Sequence, residues 1–222
     1  MRDMIVMLLV LVVLCSIPAC ADQQGGAGSL IPLPSVQFKS KVTVERALKE
    51  RRSVRAYSNA SMTLQEVSQL LWAAQGITEP SRGFRTAPSA RATYPLDTYL
   101  VAGNVEGLAA GVYKYVPKDH QLEVVALGDQ REKVGKQPAM TTAPILVVYA
   151  TDGERLKKLG DKGVTFASIE IGHSAQNVLL EEVALGLVGV GMAGFDENGV
   201  KAALNLSDQQ TPMYVVSAGK KR

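Results

Sequence analysis

The sequence predicts an α+β fold, and three observations carry that prediction. Residues 63–76 read as a capped, one-sided helix, and residues 144–150 form an unbroken apolar strand. Helices then alternate with strands of mixed type, without internal repeats.

Along the chain, Leu30–Val36 (LIPLPSV) is held extended by its prolines and is expected along the domain surface. Thr43 opens a short helix with Val44, Ala47 and Leu48 on one face. Thr63-Leu64-Gln65-Glu66 is a capping box. The helix it heads carries the stripe Leu64, Val67, Leu70, Leu71 and Ala74, and Gly76 ends it. A polar, proline-containing stretch from Thr78 to Thr93 leads to a strand near Thr98–Ala102. Gly111–Val116 and Gln121–Ala126 flank Pro117-Lys118-Asp119-His120 and read as a hairpin, with His120 solvated in its turn. Pro144–Ala150 (PILVVYA) is the kind of strand buried on both faces. A long helix is expected from about Phe166 to Leu185, followed by the glycine-rich segment Gly186–Phe195. A short helix near Val200–Leu204 and a last strand, Met213–Ser217, close the chain.

Composition narrows the function. In 222 residues, 24 Lys+Arg against 21 Asp+Glu leave a net charge of +3, too mild a footprint for nucleic acid. Two cysteines and two histidines cannot build a zinc cluster, an iron–sulfur site or a disulfide framework. Both cysteines, Cys15 and Cys20, fall in the leader. There Arg2 precedes an apolar run from Met4 to Cys15, then Pro18 and small residues. That run is shorter than the ~20 residues a bilayer requires and suits a secretory signal. Ala19-Cys20-Ala21 fits a small-x-small cleavage site, and Ile17-Pro18-Ala19-Cys20 resembles the lipobox of bacterial lipoproteins. The expected organisation is a signal peptide over 1–21, a tether and extended segment over 22–42, and the main folded domain over 43–222. The mature protein is expected outside the cytoplasm, periplasmic or held to the membrane through a lipid on Cys20.

Arg51-Arg52-Ser53-Val54-Arg55 places guanidiniums and a hydroxyl just past a helix, a composition suited to forked hydrogen bonds with phosphate. Lys220, Lys221 and Arg222 form a second cationic cluster, and the two make one phosphate pocket if the fold joins them. Gly189-Val190-Gly191-Met192-Ala193-Gly194 spells GxGxxG. A helix precedes it and the turn residues Phe195–Gly199 follow, the wrong context for a dinucleotide fingerprint. His173 reads as a structural or interface residue, and no catalytic side chain is assigned. Anion-binding groups without acid–base machinery fit a cofactor that brings its own chemistry.

Five segments in order carry a family resemblance: Arg51–Tyr57 (RRSVRAY), Leu70–Thr78 (LLWAAQGIT), Ala87–Leu96 (APSARATYPL), Ile169–Leu187 and Gly191–Asp196 (GMAGFD). From about Thr43 to Gly219 the chain resembles nitroreductase-like flavoproteins. Within them it is most like the branch holding the oxidase subunits of thiazole/oxazole-forming peptide maturases and their stand-alone relatives. The resemblance implies a nitroreductase-like FMN-binding fold with a mixed central sheet flanked by helices. It also implies a homodimer with exchanged segments and FMN at the interface. Arg51, Arg52, Ser53 and Arg55 would hold the flavin phosphate and ribityl chain, with Lys220, and less directly Arg222, completing the phosphate site. Pro88, Ser89 and Ala90 would line the isoalloxazine, and Ala193 and Gly194 would offer backbone N–H groups near N5. Many relatives have glycine where Arg91 stands, which leaves Arg91 open between the flavin N1/O2 edge and solvent. The implied activity is hydride transfer from NAD(P)H through FMN to a nitro compound, quinone or enone. A non-catalytic flavin-binding envelope protein and a flavin-fragmenting enzyme are the alternatives. Lys114-Tyr115 is similar to a Lys-Tyr pair of the maturase oxidases, but strand alternation accounts for it here, and export separates this chain from a cytoplasmic cyclodehydratase.

Overall fold

The computed structural model describes residues 25–222, so the expected leader with Cys15 and Cys20 lies outside the described residues. After β1 (Leu30–Pro32) come α1 (Val44–Glu50), β2 (Met62–Thr63), α2 (Leu64–Gln75), β3 (Ile77–Glu79) and β4 (Phe84–Arg85). The middle of the chain supplies β5 (Leu96–Ala102), β6 (Val105–Glu106), β7 (Gly111–Val116), β8 (Gln121–Leu127), α3 (Arg131–Val134), α4 (Pro138–Thr141) and β9 (Ile145–Asp152). It ends with α5 (Gly153–Lys157), α6 (Gly163–Ala184), β10 (Leu187–Met192), α7 (Glu197–Leu204) and β11 (Gln210–Lys220).

The centre is a seven-stranded sheet in the order β1-β8-β7-β5-β9-β11-β10, antiparallel along its ladders. Its parallel component enters at the β10 edge, where Ser53 bridges Gly189. Period-two alternation in β5 and β9 divides the core. Leu100, Ala102, Ile145, Val147 and Tyr149 face α2 and α6. Val101, Leu146, Val148 and Ala150 face the short helices α3, α4 and α7. Because helices cover both faces, β9 reads as a continuous apolar run.

The capping box forms: Thr63 Oγ1 accepts from the Glu66 N–H at 3.2 Å and Glu66 Oε2 accepts from the Thr63 N–H at 2.8 Å. At the other end of the helix layer, α6 stops because Gly186 takes φ 71, a left-handed turn that sends the chain back into β10. The glycine-rich segment is therefore a strand. A Cβ at Gly189 would overlap the Ser217 carbonyl oxygen, so close sheet packing requires that glycine, while one at Gly191 would meet the end of the Tyr214 side chain.

Two expectations need correction. Leu30–Pro32 does not merely run along the surface: it adds an edge strand to β8, where a proline costs no inner ladder bond. His120 is not a solvated turn residue. Its Nε2 lies 2.8 Å from Ser68 Oγ and 3.2 Å from the Pro34 carbonyl, and its Nδ1 2.9 Å from the Tyr115 hydroxyl. The Ser68 hydroxyl donates to Pro34 O at 2.6 Å, so Ser68 accepts from Nε2–H and Nδ1 accepts from Tyr115. Burial lowers the imidazolium pKa, with the Pro34 hydrogen bond opposing. The folded chain thus binds this proton less readily than the unfolded one. The stability that follows is present above the unfolded value near 6.5 and is lost as pH falls below it. Denaturation midpoints should drop more between neutral and acidic pH in the wild type than in His120→Gln; equal drops would refute this role.

Candidate active site

The first basic cluster is positioned by backbone. Arg51 closes α1, its N–H donating to Ala47 O at 2.9 Å, and the chain then leaves along the sheet edge. Val54 N–H donates to Gly189 O at 2.9 Å, and Ser58 N–H donates to Lys220 O at 3.1 Å. Between them Tyr57 bridges Lys221 and is buried, its hydroxyl 2.6 Å from Ser217 Oγ. Burial pushes the Tyr57 phenol up to about 12, so it stays neutral. Residues 51–58 are thereby stitched across the ends of β10 and β11.

This brings the two ends of the chain together. A cavity of about 620 Å³ is lined by Lys49, Arg51, Arg52, Lys221, Glu182 and Val188, among others. The C-terminal contribution comes from Lys221. Lys220 is turned elsewhere: its Nζ forms an ion pair with Glu66, because neighbouring strand residues point to opposite faces. Arg222 is exposed and does not line the cavity. Arg52 is partly committed, donating from Nη1 to Lys49 O at 2.9 Å and to Arg51 O at 2.8 Å. Ser53 and Arg55 are exposed on the same segment. Glu182 and Lys49 are cavity residues that the sequence pattern did not point to; Glu182, one of two adjacent glutamates on an apolar helix, gave no signal of burial.

The second group, Pro88–Arg91, sits in a strained loop. Arg91, Ala92 and Tyr94 take φ 55, 51 and 47, left-handed values that disfavour side chains other than glycine. Ser89 Oγ accepts from the Tyr94 N–H at 2.8 Å, and the Tyr94 hydroxyl accepts from the Arg85 N–H at 3.3 Å. The Arg85 guanidinium lies 4.3 Å above the Tyr94 ring and donates to Gln75 Oε1 at 3.0 Å. Behind them Glu170 is buried, its carboxyl pKa raised by burial against the pull of Ser89, Gln75 and Arg85. Pro88 and Arg91 themselves are exposed. Among the described residues no hydrogen bond or ion pair joins this loop to residues 51–55.

The third group ends β10. Ala193 and Gly194 are exposed, Gly194 O accepts from Gln137 Nε2 at 2.6 Å, and Asp196 caps α7 by accepting from Gly199 N–H at 3.0 Å. His173 is exposed on α6. Lys114 pairs with buried Asp97 at 3.2 Å, and Tyr115 holds His120, so both members of that pair have structural partners. No group of His, Cys, Asp and Glu among the described residues could hold a metal ion.

Residues 48–220 match the family described as Nitroreductase. This chain belongs to the nitroreductase family. Over 200 residues it is 38% identical to MJ1384 of Methanocaldococcus jannaschii, named for nitroreductases, covering 86% of this chain and 96% of that protein. It is 30% identical over 166 residues to the microcin B17-processing protein McbC of Escherichia coli, covering 68% of this chain and 58% of McbC. A nitroreductase-type structure from Ralstonia eutropha superposes with a TM-score of 0.80 at 26% identity, over 89% of this chain and 92% of that one. A chain of the Escherichia coli microcin synthetase McbBCD, bound to truncated pro-MccB17, superposes with a TM-score of 0.68 at 24% identity, over 85% and 79%. The last match speaks to fold alone.

In this family member Lys49, Arg51, Arg52 and Lys221 give the cavity a cationic lining of the kind that suits a phosphomonoester. The strain at Arg91 has a measurable consequence. Arg91→Gly should relieve about 1 kcal/mol and raise Tm by roughly 2–4 °C, whereas Arg91→Ala should leave Tm unchanged. Calorimetry of the two variants decides it; equal shifts would mean the left-handed backbone carries no cost.

Proposed function

We propose that this chain is an FMN-dependent oxidoreductase acting as a homodimer. It takes reducing equivalents from NADH or NADPH and passes them to a small organic acceptor such as a nitro compound, quinone or enone. The observation that carries this is the convergence of Arg51, Arg52 and Lys221 on one cavity in a nitroreductase-family chain. Bound FMN would supply hydride acceptance and release at N5. The protein's own part is binding and electrostatics: Arg51, Arg52 and Lys221 would hold the phosphate, while Ala193 and Gly194 offer backbone N–H groups to the ring.

Two observations support the dimer. The Pro88–Arg91 loop does not line the phosphate cavity, so one chain leaves the cradle divided. Large apolar side chains also stand exposed, Val44 and Leu48 on α1 and Val164 and Ile169 on α6. A second protomer would cover them.

Purified protein should be yellow, bleach on mixing with NADH or NADPH, and recolour with an acceptor. Arg51→Ala should weaken FMN by about 1.5–3 kcal/mol, roughly ten- to a hundredfold in Kd. Colourless protein that FMN cannot reconstitute would sink the proposal. Bound flavin inert to both nicotinamides would instead mark a flavin-binding protein without turnover.

The proposal extends to location: an exported protein, periplasmic or anchored through Cys20. Mass spectrometry of the native N-terminus should find diacylglyceryl on Cys20. An unmodified N-terminus beyond the leader means a soluble exported protein, and an intact leader refutes export.

A further inference from the structure

Glu182 is the one acidic side chain buried in the wall of the cationic cavity, and nothing in the proposed activity uses it. It is 2% exposed, and its Oε1 has no hydrogen-bond partner among the described residues. The carboxyl presses on Gly189, where a Cβ would sit against both of its oxygens. Gly189 in turn accepts the Val54 N–H at 2.9 Å, so the acid lies directly behind the residue that anchors the Arg51–Arg55 segment. Arg51 and Lys221 open onto the same space.

A buried carboxylate in such surroundings is expected to be paired, because burying an unpaired charge is costly. With one oxygen lacking any partner, the neutral acid is the form this site accommodates. Burial holds its pKa well above the ordinary range, and Arg51 opposes through space. Charged and titratable groups from several elements surround it. Lys49, Arg51 and Arg52 at the end of α1 and Lys221 after β11 are cationic, and Glu50 lines the same cavity. Tyr57, and Tyr149 of β9, both act on or respond to Glu182 and are kept neutral by burial. Glu181, its neighbour on α6, is itself raised by burial and contacts Gln69 rather than the cavity cations.

We propose that Glu182 is a proton-coupled gate on the cavity. Protonated, it lets a phosphomonoester dianion join Arg51 and Lys221 and offers that anion an O–H donor; ionised, it pairs with Arg51 and repels the phosphate. The gate rests on reading this cavity as a phosphate site. A bound dianion favours the neutral acid further, so binding takes up a proton while Glu182 is partly ionised, and affinity falls as pH rises through its pKa.

The test measures FMN and riboflavin affinity by flavin fluorescence quenching from about pH 6 to 9, the range buried glutamates reach, on wild type and Glu182→Gln. Wild-type FMN affinity should fall by up to about tenfold per pH unit, the limit for one linked proton. Riboflavin affinity should stay flat, and Glu182→Gln should bind FMN tightly and without that fall. The phosphate's own second ionisation, near pH 6, is common to both variants. Parallel pH curves for the two proteins would overturn the gate. Weaker FMN binding by Glu182→Gln at every pH would also overturn it, pointing instead to a carboxylate that orients Arg51.

Calorimetry with inorganic phosphate on flavin-free wild type, in buffers of different ionisation enthalpy, needs no variant. Proton uptake there, without FMN binding, would uphold the gate and reject the flavin reading. Phosphate binding without proton uptake would reject the gate alone, and no binding of either ligand would reject both.

Discussion

The hydrogen bond from Val54 N–H to Gly189 O, at 2.9 Å, holds the site together. It carries no side-chain chemistry, yet it decides where the charges go. By adding residues 53–54 to the β10 edge, it turns the end of α1 toward the C-terminus, and Tyr57 and Ser58 complete the seam on β11. It depends on Gly189 lacking a side chain, since a Cβ there would collide with Ser217 and Glu182. An unpaired sheet edge normally invites aggregation; here the chain's own basic segment occupies it.

The seam lies along a sheet whose inner strands are buried. β9 and β11 are buried by helices on both faces, and α6 runs across one face from Gly163 to Ala184 before Gly186 reverses the chain into β10. That reversal brings Glu182 and Gly189 together, setting a buried acid, without an ion pair among the described residues, behind a wall of cations. The strained Pro88–Tyr94 loop is built on the other principle. Side chains rather than strand pairing hold it: Ser89 and Tyr94 pin the backbone, and Arg85, Gln75 and Glu170 support it from inside. Strain of this kind persists where surrounding contacts over-determine it.

Much of this was legible in the residues. The capping box at Thr63, the stripe of α2, the hairpin of β7 and β8 and the run of β9 follow from local periodicity, and the structure has them all. The five segments identified the family that residues 48–220 match. The expectation that the two basic clusters meet was chemical rather than geometric, and it assigned Lys220 where the cavity is lined by Lys221. Lys220 and Lys221 differ by one residue in a strand, hence by a whole face. Glu66 claims the first.

The sequence by itself determined element types, the apolar faces and the family, because these depend on spacings of a few residues that the chain carries wherever it goes. Tertiary structure alone decided that the glycine-rich run is an edge strand, that His120 is clasped by Pro34, Ser68 and Tyr115, and that Glu182 is buried beside Arg51. Each of these rests on contacts between residues far apart in the chain. Their burial and electrostatics depend on register and packing, which no local pattern encodes.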